Sequence, residues 1–596
     1  MHIPRPLFAA AAALALAGAA HAQQPLNLGF EMESAVRPGR PWGMLTSDQW
    51  YPNPVRFALD SAVRREGRRS LRIEAPADST PVTEAGMQIP AAFAAGKRVR
   101  LSGWIRTEGV RGYAGLELGA SLPGQELAID SMPGRGATGT RDWTRFELSL
   151  PVDPAAETVW IGLGMRGGGT AWFDALELEV GGTRVDALPG PPEPTAAELG
   201  WLRRRSFPLS TVDAGAPFAD LQPLRRVVGD ARIVALGEST HGTSEFFRGK
   251  HRLVEFLVRE MGFTLFALEA NQLATERVNR YVLGQENDAR WAMSALFRNW
   301  KTEEVAALIE WMRAYNASGR RRVEFVGYDM QDPRLPADSV LAFLQVADSA
   351  YFASADSAYA DMRAAWEAQQ YPQRPDSVVR KWREGAARVR DHLTRNRDAY
   401  LRRARPTDVE WAIQNADVAW QAAMLQGTGS TRMRDSAMAV NLEWAMRQRP
   451  GSRAIVWAHN AHVSRLEPAM GWWLARAHPT DMRVIGLTTF DGRYTAARDR
   501  VQDPRARQYL PFEAFPAPPG SLEHALHRLG MPILVADLSG AVDEPGGRWL
   551  DQARPLRLVG WLAYDYSFTP TSLARAFDAV LHVDRTTGSR MLPESP

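Results

Sequence analysis

Cysteine is absent from the 596 residues of this chain. That excludes disulfides, a thiol nucleophile, Cys-ligated metals and lipid attachment through a cysteine. An excess of one charge is also missing, since 71 Lys and Arg face 68 Asp and Glu for a formal net charge of +3. With no Lys-rich run and no basic stripe interleaved with aromatics, no nucleic-acid partner is expected. Beyond the N-terminus no segment approaches the roughly 20 consecutive apolar residues that a membrane-spanning helix needs. What remains is a globular composition, 45% hydrophobic and 23% charged, in a chain too long for one hydrophobic core. Two or more domains are therefore expected, with 20 Trp residues to fill cores or line sites for bulky ligands.

Residues 1–22 read as an export signal. Arg5 supplies a short positive region, Leu7 to Ala20 an apolar stretch too short to span a bilayer, and Ala20-His21-Ala22 a small-x-small cleavage site. The mature chain, cut after Ala22, is expected to be periplasmic or secreted and to be held by packing alone.

Between residues 25 and 185 short alternating runs are broken by Gly and Pro. Ser70-Leu-Arg-Ile-Glu74, Val99-Arg-Leu-Ser-Gly-Trp-Ile105, Gly115-Leu-Glu-Leu118, Trp143 to Leu150, Val159-Trp-Ile-Gly-Leu163 and Ala171 to Val180 all have period two. This spacing predicts an all-β sandwich. A Pro-rich linker over 186–200 follows. From 201 to 596 apolar strand-like runs alternate with helical stretches, which predicts an α/β domain with a mainly parallel sheet. Residues 336–448 carry few strand signals and read as an inserted helical subdomain that could roof the sheet's active edge.

Polar groups stand at four strand ends in this second domain. Gly237-Glu-Ser-Thr-His241-Gly242 follows Ile233 to Leu236, Glu269 closes Phe263 to Leu268, Asp329 lies in Gly327-Tyr-Asp-Met-Gln331, and His459-Asn-Ala-His462 follows Ala454 to Ala458. In a parallel sheet these ends share one edge, so the groups are expected to converge. An imidazole flanked by carboxylates suits general-base work, because the carboxylates orient the ring and stabilise the imidazolium. A second imidazole can donate to an oxyanion or protonate a leaving alkoxide. Ester or lactone hydrolysis is the natural reaction. Ser239 is a poor nucleophile, since His241 replaces the second glycine of G-x-S-x-G.

The Gly-Glu-Ser-Thr-His-Gly turn, Phe246-Phe247 with Lys250-His-Arg-Leu253, Asn299-Trp300, Trp311-Met-Arg-Ala-Tyr-Asn316, Gly327-Tyr-Asp-Met-Gln331, Arg434-Asp435 and Trp457-Ala-His-Asn-Ala-His462 together resemble the erythromycin esterase family. The resemblance runs from about Arg203 to Arg585. It implies a lactone-opening hydrolase that activates water without an acyl intermediate. Carried onto matching positions, it makes His241 the general base, Glu238 and Glu269 its orienting carboxylates, and His459 or His462 the assistant at the carbonyl or leaving oxygen. Asp329 and Arg434 are the substrate-binding candidates. The export signal and the sandwich depart from the family's short intracellular resistance enzymes, so a macrolide is not the required substrate. The sandwich resembles jelly-roll, carbohydrate-binding-like modules through Asn27-Leu-Gly-Phe-Glu31, Gly67-Arg-Arg-Ser-Leu71 and Trp172-Phe-Asp174.

Two rival readings remain open. Glu238, His241, Glu269 and His459 or His462 are also donors that a divalent metal accepts, though no H-E-x-x-H spacing is present and no cofactor is expected. A non-catalytic envelope protein binding glycan through the sandwich is the other. Against it stands a base beside two carboxylates, which a binding protein need not keep.

Overall fold

The computed structural model describes residues 24–593, apart from 50–53, 77–81, 123–124, 189, 320, 368–374, 429, 500–506 and 566. The expected signal segment, 1–22, lies outside the described residues.

The N-terminal module is all β. Ten strands between Leu45 and Arg184 hydrogen-bond into one sheet folded over on itself. Phe30, Phe57, Leu71, Ile73, Leu116, Ile161 and Phe173 are among the side chains of its core. The runs read as separate strands at 99–105 and 115–118 are instead one 25-residue strand, Arg98–Leu122. No proline interrupts the stretch between them, and three register shifts against Ala137–Pro151 let it bend without breaking. At the module's end Ala187–Leu188 pairs back on Gln24–Pro25, and a helix begins at Ala196 with a Thr195–Glu198 capping box. The segment without regular structure is therefore shorter than the 186–200 read from composition.

The second domain is built on a mixed sheet. In chain order its strands are β1 (Ser206–Pro208), β2 (Ile233–Leu236), β3 (Leu265–Asn271), β4 (Glu324–Asp329), β5 (Ala454–Trp457), β6 (Met482–Ala497), β7 (Tyr509–Ala514), β8 (Ile533–Asp537) and β9 (Ala579–Thr586). They lie in the order β1-β8-β9-β6-β2-β5-β3-β4, with β7 pairing β6. The run from β9 to β4 is parallel, while β1, β7 and β8 pair antiparallel. Burial on both faces explains why β2, β3 and β5 are buried at every position. Helix α1 (Ser244–Met261) follows β2, packs Phe246, Phe247, Leu253, Val254 and Leu257 against the sheet, and ends where Gly262 turns left-handed at φ 73°.

Between β4 and β5 the described chain is helical from Arg334 to Arg447, and much of this segment has its own apolar cluster around Val340, Tyr359, Trp382 and Val389. Its last helix, α2 (Thr431–Arg447), returns to the sheet. Among the described residues no helix is long and apolar enough to cross a membrane.

Candidate active site

The site begins where β2 stops. Gly237 and Gly242 bracket the turn, and close approach demands both: a Cβ on Gly237 would lie 2.0 Å from Asn460 Oδ1, and one on Gly242 would lie 1.7 Å from Thr495 O. Asn460 ties the neighbouring strand ends together. It donates its N–H to Glu238 O (2.8 Å) and its side-chain amide to Leu487 O (2.9 Å), and accepts from Leu487 N–H (3.2 Å).

The turn aims Glu238 inward, where it is fully buried. Its Oε1 lies 2.7 Å from His241 Nδ1, and its Oε2 accepts from Lys250 Nζ (2.8 Å) and Trp457 Nε1 (2.9 Å). Lys250 also donates to Ala458 O (3.3 Å) and sits 4.5 Å from the Trp457 ring centre. Burial pushes the Lys250 ammonium down to about 8, against the pull of Glu238. With Nδ1 held by Glu238, the other ring nitrogen of His241, Nε2, is left facing Glu269 Oε1 at 4.0 Å. The ring is 8% exposed, edge-on to Trp300 and 5.0 Å from the ring of His459.

Glu269 lies within β3, at an irregularity in its pairing with β4. Its carbonyl accepts from Trp300 Nε1 (2.7 Å), Oε2 from the His459 N–H (2.9 Å), and Oε1 from Arg434 Nη2 (2.8 Å). Burial alone would raise its pKa. His462, His241, Arg434 and the His459 amide outweigh that and hold it far below the usual carboxylate range.

The two later histidines differ. His459 caps the short helix Asn460–Val463, accepting from Ala461 N–H at Nδ1 (3.3 Å), with Nε2 3.4 Å from Ser239 O. Burial, with His241 and His462 nearby, pushes its proton affinity well down, so it stays neutral. His462 Nδ1 lies 2.8 Å from Asp435 Oδ1, and its Nε2 lies 3.4 Å from Glu269 Oε1 and 3.0 Å from Arg434 Nη1. Burial lowers its pKa, but Asp435 and Glu269 more than reverse this. The Arg434 contact is a hydrogen bond only to a deprotonated Nε2, so the ring stands between two states.

Glu238, His241, Glu269, Asp329, Arg434, His459 and His462 thus meet at one sheet edge. Asp329 is the most enclosed of the carboxylates by its own partners. Asp329 is fully buried, and Arg434 Nη2 (2.6 Å), Gln331 Nε2 (2.7 Å) and Met330 N–H (2.8 Å) occupy its carboxylate. In this arrangement it anchors Arg434. Arg434 stands at the site, with its donors directed to Asp329, Glu269 and His462. Among the described residues the buried Ser239 Oγ has no hydrogen-bond partner. Among the described residues no group of three or more His, Asp or Glu side chains has the arrangement of a metal site.

Lys250, Trp457, Trp300 and Asp435 also belong to the site, beyond the residues that the strand ends point to. The signal for Lys250 was present, because a lysine on the buried face of α1 between Phe247 and Val254 requires a buried partner.

The family model for erythromycin esterase matches residues 258–586, more than half of the chain. The chain belongs to the erythromycin esterase family. The match begins after the Glu238–His241 turn, but one relative spans more. Erythromycin esterase type II of Escherichia coli is 23% identical over 427 residues, covering 66% of this chain and 99% of that protein. A crystal structure of a succinoglycan biosynthesis protein matches with TM-score 0.57 and 25% identity, over 66% of this chain and 98% of that one. The N-terminal module matches the xylan-binding domain of a family 22 carbohydrate-binding module at TM-score 0.20 and 13% identity, over 26% of this chain and 98% of that one. Family membership supports hydrolysis as the general activity of this erythromycin esterase relative.

Proposed function

We propose that this chain is an exported hydrolase that cleaves an ester or lactone by direct attack of water, with His241 as the base. The observation that carries the reading is the placement of the His241 ring: Nδ1 lies 2.7 Å from Glu238 Oε1, and Nε2 faces Glu269 Oε1 at 4.0 Å. A Glu238 carboxylate, which can only accept, would keep the ring proton on Nδ1 and the lone pair on Nε2. A water between Nε2 and Glu269 would give its proton to Nε2 as its oxygen bonds the carbonyl carbon. The imidazolium then lies between two carboxylates, and Glu238 is itself braced by Lys250 and Trp457. When the tetrahedral intermediate collapses, the bond to the alkoxide breaks and the alkoxide takes a proton. His462 fits that role better than His459, because Asp435 and Glu269 raise its proton affinity while His459 stays neutral.

Residues 1–22 support export to the periplasm or beyond, and the helices of 334–447 would roof the site. The substrate is a small ester or lactone, not necessarily a macrolide, with the N-terminal module available for a glycan. The test is a screen of the purified mature chain against p-nitrophenyl esters, lactones and macrolactones, with intact-protein mass measured after a rapid quench. Turnover with no added acyl mass supports the reading. An acyl adduct on the protein would contradict direct attack by water.

A further inference from the structure

The turn that carries His241 is gripped from outside the sheet by a strap, residues 558–565, which leads from the short strand Arg554–Arg557 towards its partner Phe568–Thr571. His241 N–H donates to Val559 O (3.3 Å), and Val559 N–H donates to Ser239 O (2.6 Å). Thr240 and Val559 form a parallel bridge. Further along, Ala497 N–H donates to Trp561 O and Ala563 N–H to Ala497 O, both at 2.9 Å, while Thr495 N–H donates to Gly242 O (2.8 Å). Turn, strap and the end of β6 are one hydrogen-bonded patch.

The N-terminal module holds the same strap. Asp565 Oδ1 accepts from Ser34 Oγ (3.0 Å) and Val36 N–H (3.2 Å), and Oδ2 accepts from Gly43 N–H (3.4 Å). Arg37 Nε donates to Asp499 (3.1 Å) and Arg498 O (3.3 Å), just past β6. Val36 shares a buried apolar cluster with Tyr494, Ala496, Val559 and Ala563, so the module packs against the residue that hydrogen-bonds the catalytic turn. Trp42, 4% exposed, fills a second cluster with Ala517 and Phe568. The connector is tied down as well, with Glu193 paired to Arg528 (2.6 Å) and Pro192 O accepting from Arg554. A tethered binding appendage would need none of this, since domain boundaries in one chain are ordinarily polar and mobile.

We propose that the N-terminal module is a positioning element of the active site. Asp565 ties the 34–43 loop to the strap, and the strap fixes the backbone of Ser239 to His241. The proposal rests on the reading of His241 as the base. It assigns the module a role in turnover that is separate from any ligand the module binds.

Asp565→Ala and Trp42→Ala in the full mature chain test it, with Asp565→Asn as the conservative variant that keeps one acceptor oxygen. Hydrogen–deuterium exchange of peptides covering 236–247 reads the coupling without reference to activity. Exchange there should speed up by roughly tenfold in the Ala variants, with 324–329 on the far strand unchanged. With p-nitrophenyl acetate as probe, kcat should fall with KM held, and Asp565→Asn should recover most of the loss. Unchanged exchange at 236–247 overturns the proposal, and so does faster exchange with unchanged kcat. If the unaltered chain turns over no ester, the esterase reading fails, and exchange alone decides whether the module holds the turn. Should Trp42→Ala unfold the chain, Ser34→Ala, which removes one donor to Asp565, carries the same test.

Discussion

Replacing Glu238 by Gln changes one atom and should stop the enzyme. Two donors, Lys250 Nζ and Trp457 Nε1, converge on Oε2 at 2.8 and 2.9 Å, while a single ring nitrogen, His241 Nδ1, faces Oε1 at 2.7 Å. A carboxamide has one acceptor oxygen, and two fixed donors outweigh one. The oxygen of the new side chain must therefore sit where Oε2 was, which turns the amide N–H2 towards Nδ1. Nδ1 becomes an acceptor, the ring proton moves to Nε2, and the lone pair that should take a proton from water is lost. Wrong-tautomer variants of Ser-His-Asp enzymes lose about 10⁴ in kcat, or about 5 kcal/mol of transition-state stabilisation, and a similar loss is expected here. The assay is kcat of Glu238→Gln on p-nitrophenyl acetate, beside thermal melting to confirm the fold. A folded variant within about tenfold of the unaltered enzyme would refute the tautomer argument.

Other outcomes follow from the same geometry. Lys250→Met strips the buried cation from Glu238 and should cost about 3–5 kcal/mol of stability in a urea titration, with activity lost as well. Because the folded pKa of Glu269 is depressed, the stability it lends is complete above its unfolded value of about 4.5 and drains away as pH falls below it. Urea midpoints followed against pH should therefore drop less steeply on the acid side in Glu269→Gln than in the unaltered chain. A chelator such as EDTA should leave turnover intact; loss of activity restored by one added metal would select a metal-dependent mechanism instead.

Much of the site was legible because strand ends announce themselves. The apolar run Ile233 to Leu236 stops at Gly237, and parallel pairing then brings Glu238, Glu269 and His459 to one edge although they are distant in sequence. Periodicity could not reveal partner choice. Arg434 bonds Asp329 as well as Glu269 and His462, and that pairing depends on how α2 returns to the sheet. Lys250 does carry a signal, a lysine among the apolar positions of α1, but the pattern does not say which buried group it pairs with. The 25-residue strand Arg98–Leu122 looks like two strands in the sequence because polar residues interrupt its alternation where the strand bends. The strap had no signal at all, since residues 558–565 meet the turn and β6 mainly through backbone hydrogen bonds that leave no pattern in side-chain type.

The central claim is that His241 takes the proton from the attacking water. The most direct test is turnover of a small ester by His241→Ala, with circular dichroism and melting to show that the variant is folded. The account predicts a folded protein with kcat reduced by at least about a thousandfold. A folded His241→Ala variant that hydrolyses the ester at the rate of the unaltered chain would contradict it.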